Sequence, residues 1–251
     1  PALPRPRRPA IPARRGVTRA YPPSVRIVHL AWEYPPLVYG GLGRHVHALA
    51  EAQAAQGDDV TVLTQVTAGA PDDAVVNGVR VVRVAHDPPA LPFDESHLIG
   101  WVMTLESAMA RRGAQLVREA PPDVIHAHDW MMAHVAVALR DASPGATLIA
   151  TIHATEAGRH QGWLPTELSD SIHTVEHWLL HEADRAIVCS HHMRQEVERL
   201  HNIGADHLDV VANGIDLRRW KATPAQVAHA RDTYASTGPL VVYCGRLEWE
   251  K

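Results

Sequence analysis

Residues 25–56 read VRIVHLAWEYPPLVYGGLGRHVHALAEAQAAQ, and two periodicities meet in that stretch. Residues 25–31 are an apolar run of strand length, followed by a loop rich in Pro and Gly. Residues 41–56 then place Val46, Leu49 and Ala50 on one helical face, with Gly57 positioned to end the helix. A buried strand, a glycine-bearing loop and an amphipathic helix make the opening unit of a parallel sheet.

Outward from that unit the alternation continues. Strands are predicted at 59–64, 123–127, 147–152, 185–189 and 209–211, and helices at 97–119, 130–140, 171–181 and 191–200. Residues 75–84 carry Asn77-Gly78 between β-branched residues, a hairpin signal, and Pro121-Pro122 stops the helix before them. The predicted fold class is therefore α/β, a Rossmann-like, doubly wound and mostly parallel sheet, which binds ligands beyond the carboxyl ends of its strands. A further helix at 223–234 and an apolar strand at 240–243 read as the hinge and the truncated opening of a second α/β domain. The expected division is a disordered Pro/Arg-rich extension (1–24), a Rossmann-like domain (25–220) and the start of a second domain (221–251).

Composition removes several function classes. The 251 residues are 46% hydrophobic and 21% charged, and a net charge of −4 gives no bulk case for nucleic acid or an anionic membrane. No apolar run approaches the roughly 18–20 residues of a membrane helix. The early segment with Arg5, Arg7, Arg8, Arg14 and Arg15 lacks the apolar stretch of a secretory signal. Cys189 and Cys244, the two cysteines, each follow an apolar run and read as free thiols, which fits a reducing cytoplasm.

Five blocks carry chemistry. Trp32-Glu33-Tyr34-Pro35-Pro36 with Gly40-Gly41-Leu42-Gly43-Arg44-His45 lies between the first strand and helix, where glycines let backbone N–H groups approach a phosphate. The spacing is wrong for the dinucleotide fingerprint, since Val46 stands where its last Gly or Ala belongs. His126-Ala127-His128-Asp129-Trp130 ends a strand. A zinc site on His126, His128 and Asp129 is the lesser reading, because no further ligands appear at a known spacing. Asp129 reads instead as an acceptor for substrate hydroxyls. Thr151-Ile152-His153-Ala154-Thr155-Glu156, followed by Gly158-Arg159-His160-Gln161-Gly162-Trp163, puts His153 just past a strand, facing a cleft. Asn213-Gly214-Ile215-Asp216 is a turn by composition. In Gly245-Arg246-Leu247-Glu248-Trp249-Glu250-Lys251, the Arg and Lys could clamp a diphosphate.

Taken in order, these blocks resemble the glycogen and starch synthase relatives among retaining glycosyltransferases, from about Val25 to Lys251. The resemblance implies the GT-B architecture, two Rossmann-like domains facing a cleft, with acceptor mainly on the first and nucleotide mainly on the second. It implies a nucleotide-sugar donor, ADP- or UDP-glucose, and a glucan or small sugar acceptor, with neither a cofactor nor a divalent ion. His153 would contact the transferred sugar, and Asp129 would bind sugar hydroxyls. Gly40 and Gly41 would lie by the donor diphosphate, which Arg246 and Lys251 would neutralise. Glu33, Tyr34, Glu156, Arg159 and Asn213 are the expected acceptor or sugar contacts. The alternatives are a fragment that binds acceptor or partner without turnover, and a metal-dependent hydrolase built on His126, His128 and Asp129.

Overall fold

The computed structural model describes residues 24–217, 220–235 and 237–243. The expectations for the Pro/Arg-rich extension through residue 23, and for Cys244, Arg246 and Lys251, lie outside the described residues. The chain runs β1 (Arg26–Leu30), α1 (Gly41–Ala55), β2 (Asp59–Gln65), β3 (Asp73–Val76), β4 (Val79–Val84), α2 (Leu98–Glu119) and β5 (Val124–His128). A 3-10 turn (Trp130–Met132) leads into α3 (Ala133–Ala142), β6 (Thr147–Ile152), the short α4 (Glu156–Arg159) and α5 (Glu167–Glu182). Then come β7 (Arg185–Val188), α6 (His191–His201), β8 (Leu208–Val210) and α7 (Pro224–Tyr234).

The eight strands form one sheet in the order β3-β4-β2-β1-β5-β6-β7-β8. Every pairing is parallel except the β3–β4 hairpin, whose turn uses Asn77 and Gly78 at φ +50° and +83°. The chain winds outward from β1 through β2, then returns to lay β5 on the other flank of β1. This reversal is the topological switch point of a doubly wound sheet, and its crevice opens at the carboxyl ends of β1 and β5.

Helices α2, α3 and α5 cover one face over the main core, in which Leu105, Met109, Ile125, Met132, Leu139, Leu148 and Leu179 are fully buried. Each such side chain contributes about 1.5–3 kcal/mol by leaving water. Helix α1 covers the other face over β1, β2 and β4 through Leu42, Val46 and Ala50. Leu49, expected inward, is half-buried and lines a cavity of about 200 Å³ between α1 and the β5–β7 surface. Gly57 follows α1 at φ +99°, the left-handed position where a glycine ends a helix without strain.

Two expectations are corrected. Helix α5 begins at Glu167 rather than 171, because the Thr166 side chain accepts the Ser169 N–H and caps it earlier. Residues 240–243 take no strand conformation in the described structure, and Val241 is 91% exposed. Helix α7 carries a capping box at Thr223 but buries no residue. Among the described residues no helix is long and apolar enough to cross a membrane.

Candidate active site at the carboxyl edge of the sheet

The site is built on a ladder of histidines. His29 on β1 pairs in register with His126 on β5, so both rings rise from the same sheet face. His128, two residues on, shares it, and the His126 and His128 rings stack at 4.3 Å. Helix α1 presents His45, Leu49 and Gln53 to this face at successive turns. Gln53 Oε1 lies 2.7 Å from His29 Nε2, His29 Nδ1 lies 3.1 Å from His128 Nε2, and His128 Nδ1 lies 3.1 Å from His153 Nε2. A neutral imidazole has one N–H to give, so the amide oxygen fixes the polarity of the whole chain. His29 donates to Gln53, His128 to His29, and His153 Nε2–H to His128. In its neutral form His153 then has an acceptor lone pair at Nδ1.

Burial keeps the His29, His45, His126 and His128 rings neutral. It lowers His29 to about 4, and lowers His45 to about 4 with help from the facing His153. His126 and His128 are driven well below the ordinary range by the same desolvation and by their neighbours. The His45 ring meets His153 edge-on at 4.9 Å and is hydrogen-bonded to Asn213.

Asp129 closes the edge. It sits at φ +65° and ψ 172°, only 7% exposed, and its Oδ1 accepts the His153 N–H at 2.7 Å, with the Ala154 N–H nearby as a second donor. Burial raises its carboxyl above the usual range, against the pull of His153 and of the exposed Arg159. The structure thus brings Asp129, His153, Asn213 and Arg159 together, with Gly40 and Gly41 one turn before His45.

Other predicted residues have different surroundings. The Glu33 carboxylate is buried and accepts backbone N–H groups of Tyr39, Gly40 (3.1 Å) and Gly43 (2.8 Å). It clasps the loop and occupies the Gly40 amide that phosphate was expected to use, leaving the exposed Gly41. Tyr34 is 5% exposed, packs edge-on against His47, and is pushed up to about 12 by burial. It is a core residue beneath α1. Glu156 is also buried, and its carboxylate accepts the Ser169 hydroxyl at 2.8 Å.

Sequence reasoning missed His29 and Gln53 as members of the site, and placed His45 in a block without giving it a role. A histidine inside the apolar run RIVHL was the available signal. It also missed an aromatic patch at the mouth, where Tyr39 (60% exposed) stacks on Trp32 at 5.3 Å beside Phe93 and Trp101. The hydrolase triad of His126, His128 and Asp129 is not assembled. The ring nitrogens of His126 and His128 gather with His29, while Asp129 joins no such group among the described residues.

Sheet order and edge chemistry together define a Rossmann-like glycosyltransferase domain of the GT-B type. The fold superposes on sucrose-phosphate synthase from Thermosynechococcus elongatus with a TM-score of 0.65 at 21% identity, covering 83% of this chain and 52% of that one. It also superposes on the catalytic domain of starch synthase IV from Arabidopsis thaliana with a TM-score of 0.59 at 19% identity, covering 78% and 53%. More specifically, the chain belongs to glycosyltransferase family 4, whose family model matches residues 39–219. It is 43% identical over 239 residues to glycogen synthase of Mycobacterium tuberculosis, covering 90% of this chain and 55% of that protein. It is 30% identical over 240 residues to alpha-maltose-1-phosphate synthase of Mycolicibacterium smegmatis, covering 90% and 55%. The chain spans about half the length of these curated relatives.

Proposed function

We propose that this chain is the acceptor-side part of a retaining glucosyltransferase that moves glucose from ADP- or UDP-glucose to an α-glucan or a related sugar acceptor. The observation that carries this reading is the convergence of Asp129, His45, His153 and Asn213 on one strand edge, in a chain so similar to glycogen synthase.

In this reading His153 Nδ1 accepts a hydroxyl of the transferred sugar, and the hydrogen-bonded line back to Gln53 holds the ring in that tautomer. Asp129 positions the His153 backbone and offers its carboxylate to sugar hydroxyls, with Arg159 and Asn213 flanking them. The Gly41 end of α1, together with Arg246 and Lys251, stabilises the charge that develops on the departing diphosphate. Tyr39 and Phe93 supply an aromatic platform for an acceptor ring.

The test is an assay of the complete protein with ADP-glucose and UDP-glucose, each against glycogen and against sugar phosphates. Glucose transfer from one of the two donors is expected. Inertness toward both, in folded protein, would sink the proposal.

A further inference from the structure

A second group of titratable side chains lies apart from the histidine ladder, between α5 and the end of α6. His173 and Glu176 are three apart on α5 and share a face, and His201, the last residue of α6, packs against them. The His173 and His201 rings stack at 4.5 Å. Glu176 Oε2 lies 3.8 Å from His173 Nδ1 and 3.8 Å from His201 Nε2, too far for hydrogen bonds. These three atoms are buried, and none has a hydrogen-bond partner among the described residues; His201 Nδ1 has none either. His201 is 0% exposed and Glu176 2%.

This sets the group apart from the ladder, where ring nitrogens are satisfied by Gln53, Thr151 and one another. An unpaired buried polar atom forgoes the hydrogen bonds it made in water, so three of them gathered within 4.8 Å of one another call for a shared partner.

We propose that His173 Nδ1, Glu176 Oε2 and His201 Nε2 bind a zinc ion. Two imidazoles and one carboxylate are a zinc ligand set, with ligand distances of about 2.0–2.2 Å that put tetrahedral ligand atoms about 3.3–3.6 Å apart. The two 3.8 Å separations from Glu176 need a contraction of a few tenths of an ångström, and all three atoms lie within 4.8 Å of one another. The His173 side chain is 22% exposed and gives an entry path. The other Glu176 oxygen accepts the Glu156 N–H at 2.8 Å, the second contact expected of a ligating carboxylate. Through that bond the ion braces α4 and the loop that follows His153. None of its three ligands is a residue assigned to sugar transfer, and the ion's role is to tie α5 and α6 to α4.

The experiment uses the complete protein, stripped of metal and titrated with Zn²⁺ by calorimetry, with Co²⁺ absorption reporting the ligand field. One equivalent per chain is expected, together with a rise in melting temperature of several degrees at saturation. His173→Ala, at the half-open position, should lose that equivalent and its thermal shift, with affinity at least about 100-fold weaker. His45→Ala should keep both. Absence of stoichiometric zinc would leave the three atoms to a bridging water and overturn the proposal. Zinc lost in His45→Ala but kept in His173→Ala would assign it to the ladder, which also overturns it. Neither result depends on transferase activity.

Discussion

At Asp129 the backbone takes a conformation that glycine would occupy more easily, at φ +65° and ψ 172°. Such a residue costs about 1–3 kcal/mol and persists where its surroundings hold it. Here the holding contact is the bond from the His153 N–H, so strain at one strand end is exchanged for a fixed position at the next. Under the proposed function, His153 meets the reacting sugar with a set ring orientation. His153→Ala in the complete protein should lower kcat by about two to three decades, equivalent to 2–4 kcal/mol, with the fold intact. Near-normal kinetics in a folded variant would make it an ordinary loop histidine. His29 gives a pH prediction. It titrates near 6.5 when unfolded but at about 4 when folded, so the unfolded chain takes up a proton first as pH falls. Stability is therefore intact above pH 6.5 and lost from there down to pH 4, by roughly 3 kcal/mol for this ring alone. Urea midpoints unchanged between pH 7 and 4.5 would contradict it. His29 escaped the sequence reading for a physical reason: its partner His128 is 99 residues away, and periodicity sees only a polar interruption in a strand.

Among the elements, α1 shows both what the sequence discloses and what it hides. Its span and its inward face follow from the spacing of Val46 and Ala50, and most other strands and helices follow in the same way from runs and breakers. The direction of side chains in the loop before it does not. Glu33 and Tyr34 are adjacent polar and aromatic residues in a Pro/Gly loop, a composition that suits a ligand site and a folded-back loop equally well. The tertiary structure decides for the latter. Gly40 has no side chain to cap α1, and the Glu33 carboxylate reaches forward to do so. Gly43 is required by this clasp, since a Cβ there would lie 3.0 Å from Glu33 Cγ and 3.3 Å from its carbonyl oxygen. Glu33→Ala leaves buried N–H groups unpaired and should cost about 1–3 kcal/mol, with Gly43→Ala costing a similar amount through overpacking. Thermal melts of both variants equal to the parent would show that the loop does not depend on the clasp.

Across the whole molecule, the described sheet supplies one wall of the proposed cleft. The sheet class was legible because each strand–helix repeat announces itself locally; the strand order was not, and the switch point between β1 and β5, seen only in the fold, places the crevice. The run at 240–243 misled for the complementary reason: its sequence is strand-like, but whether a run joins a sheet depends on what lies beside it, which periodicity does not report. The same dependence on partners governs the chemistry. A leaving diphosphate carries charge that one helix end, with the Gly40 amide already given to Glu33, holds only in part. Arg246 and Lys251 are the cations proposed to supply the rest. Replacing either by Ala in the complete protein should therefore lower kcat by about 10²–10³ while leaving the acceptor KM nearly unchanged, since charge on the leaving group grows only toward the transition state. Steady-state kinetics with the donor saturating separate the possibilities. A rise in acceptor KM at constant kcat would move these residues to the acceptor side. Unchanged values for both parameters in both variants would make residues 245–251 a solvated turn and leave the diphosphate to other groups.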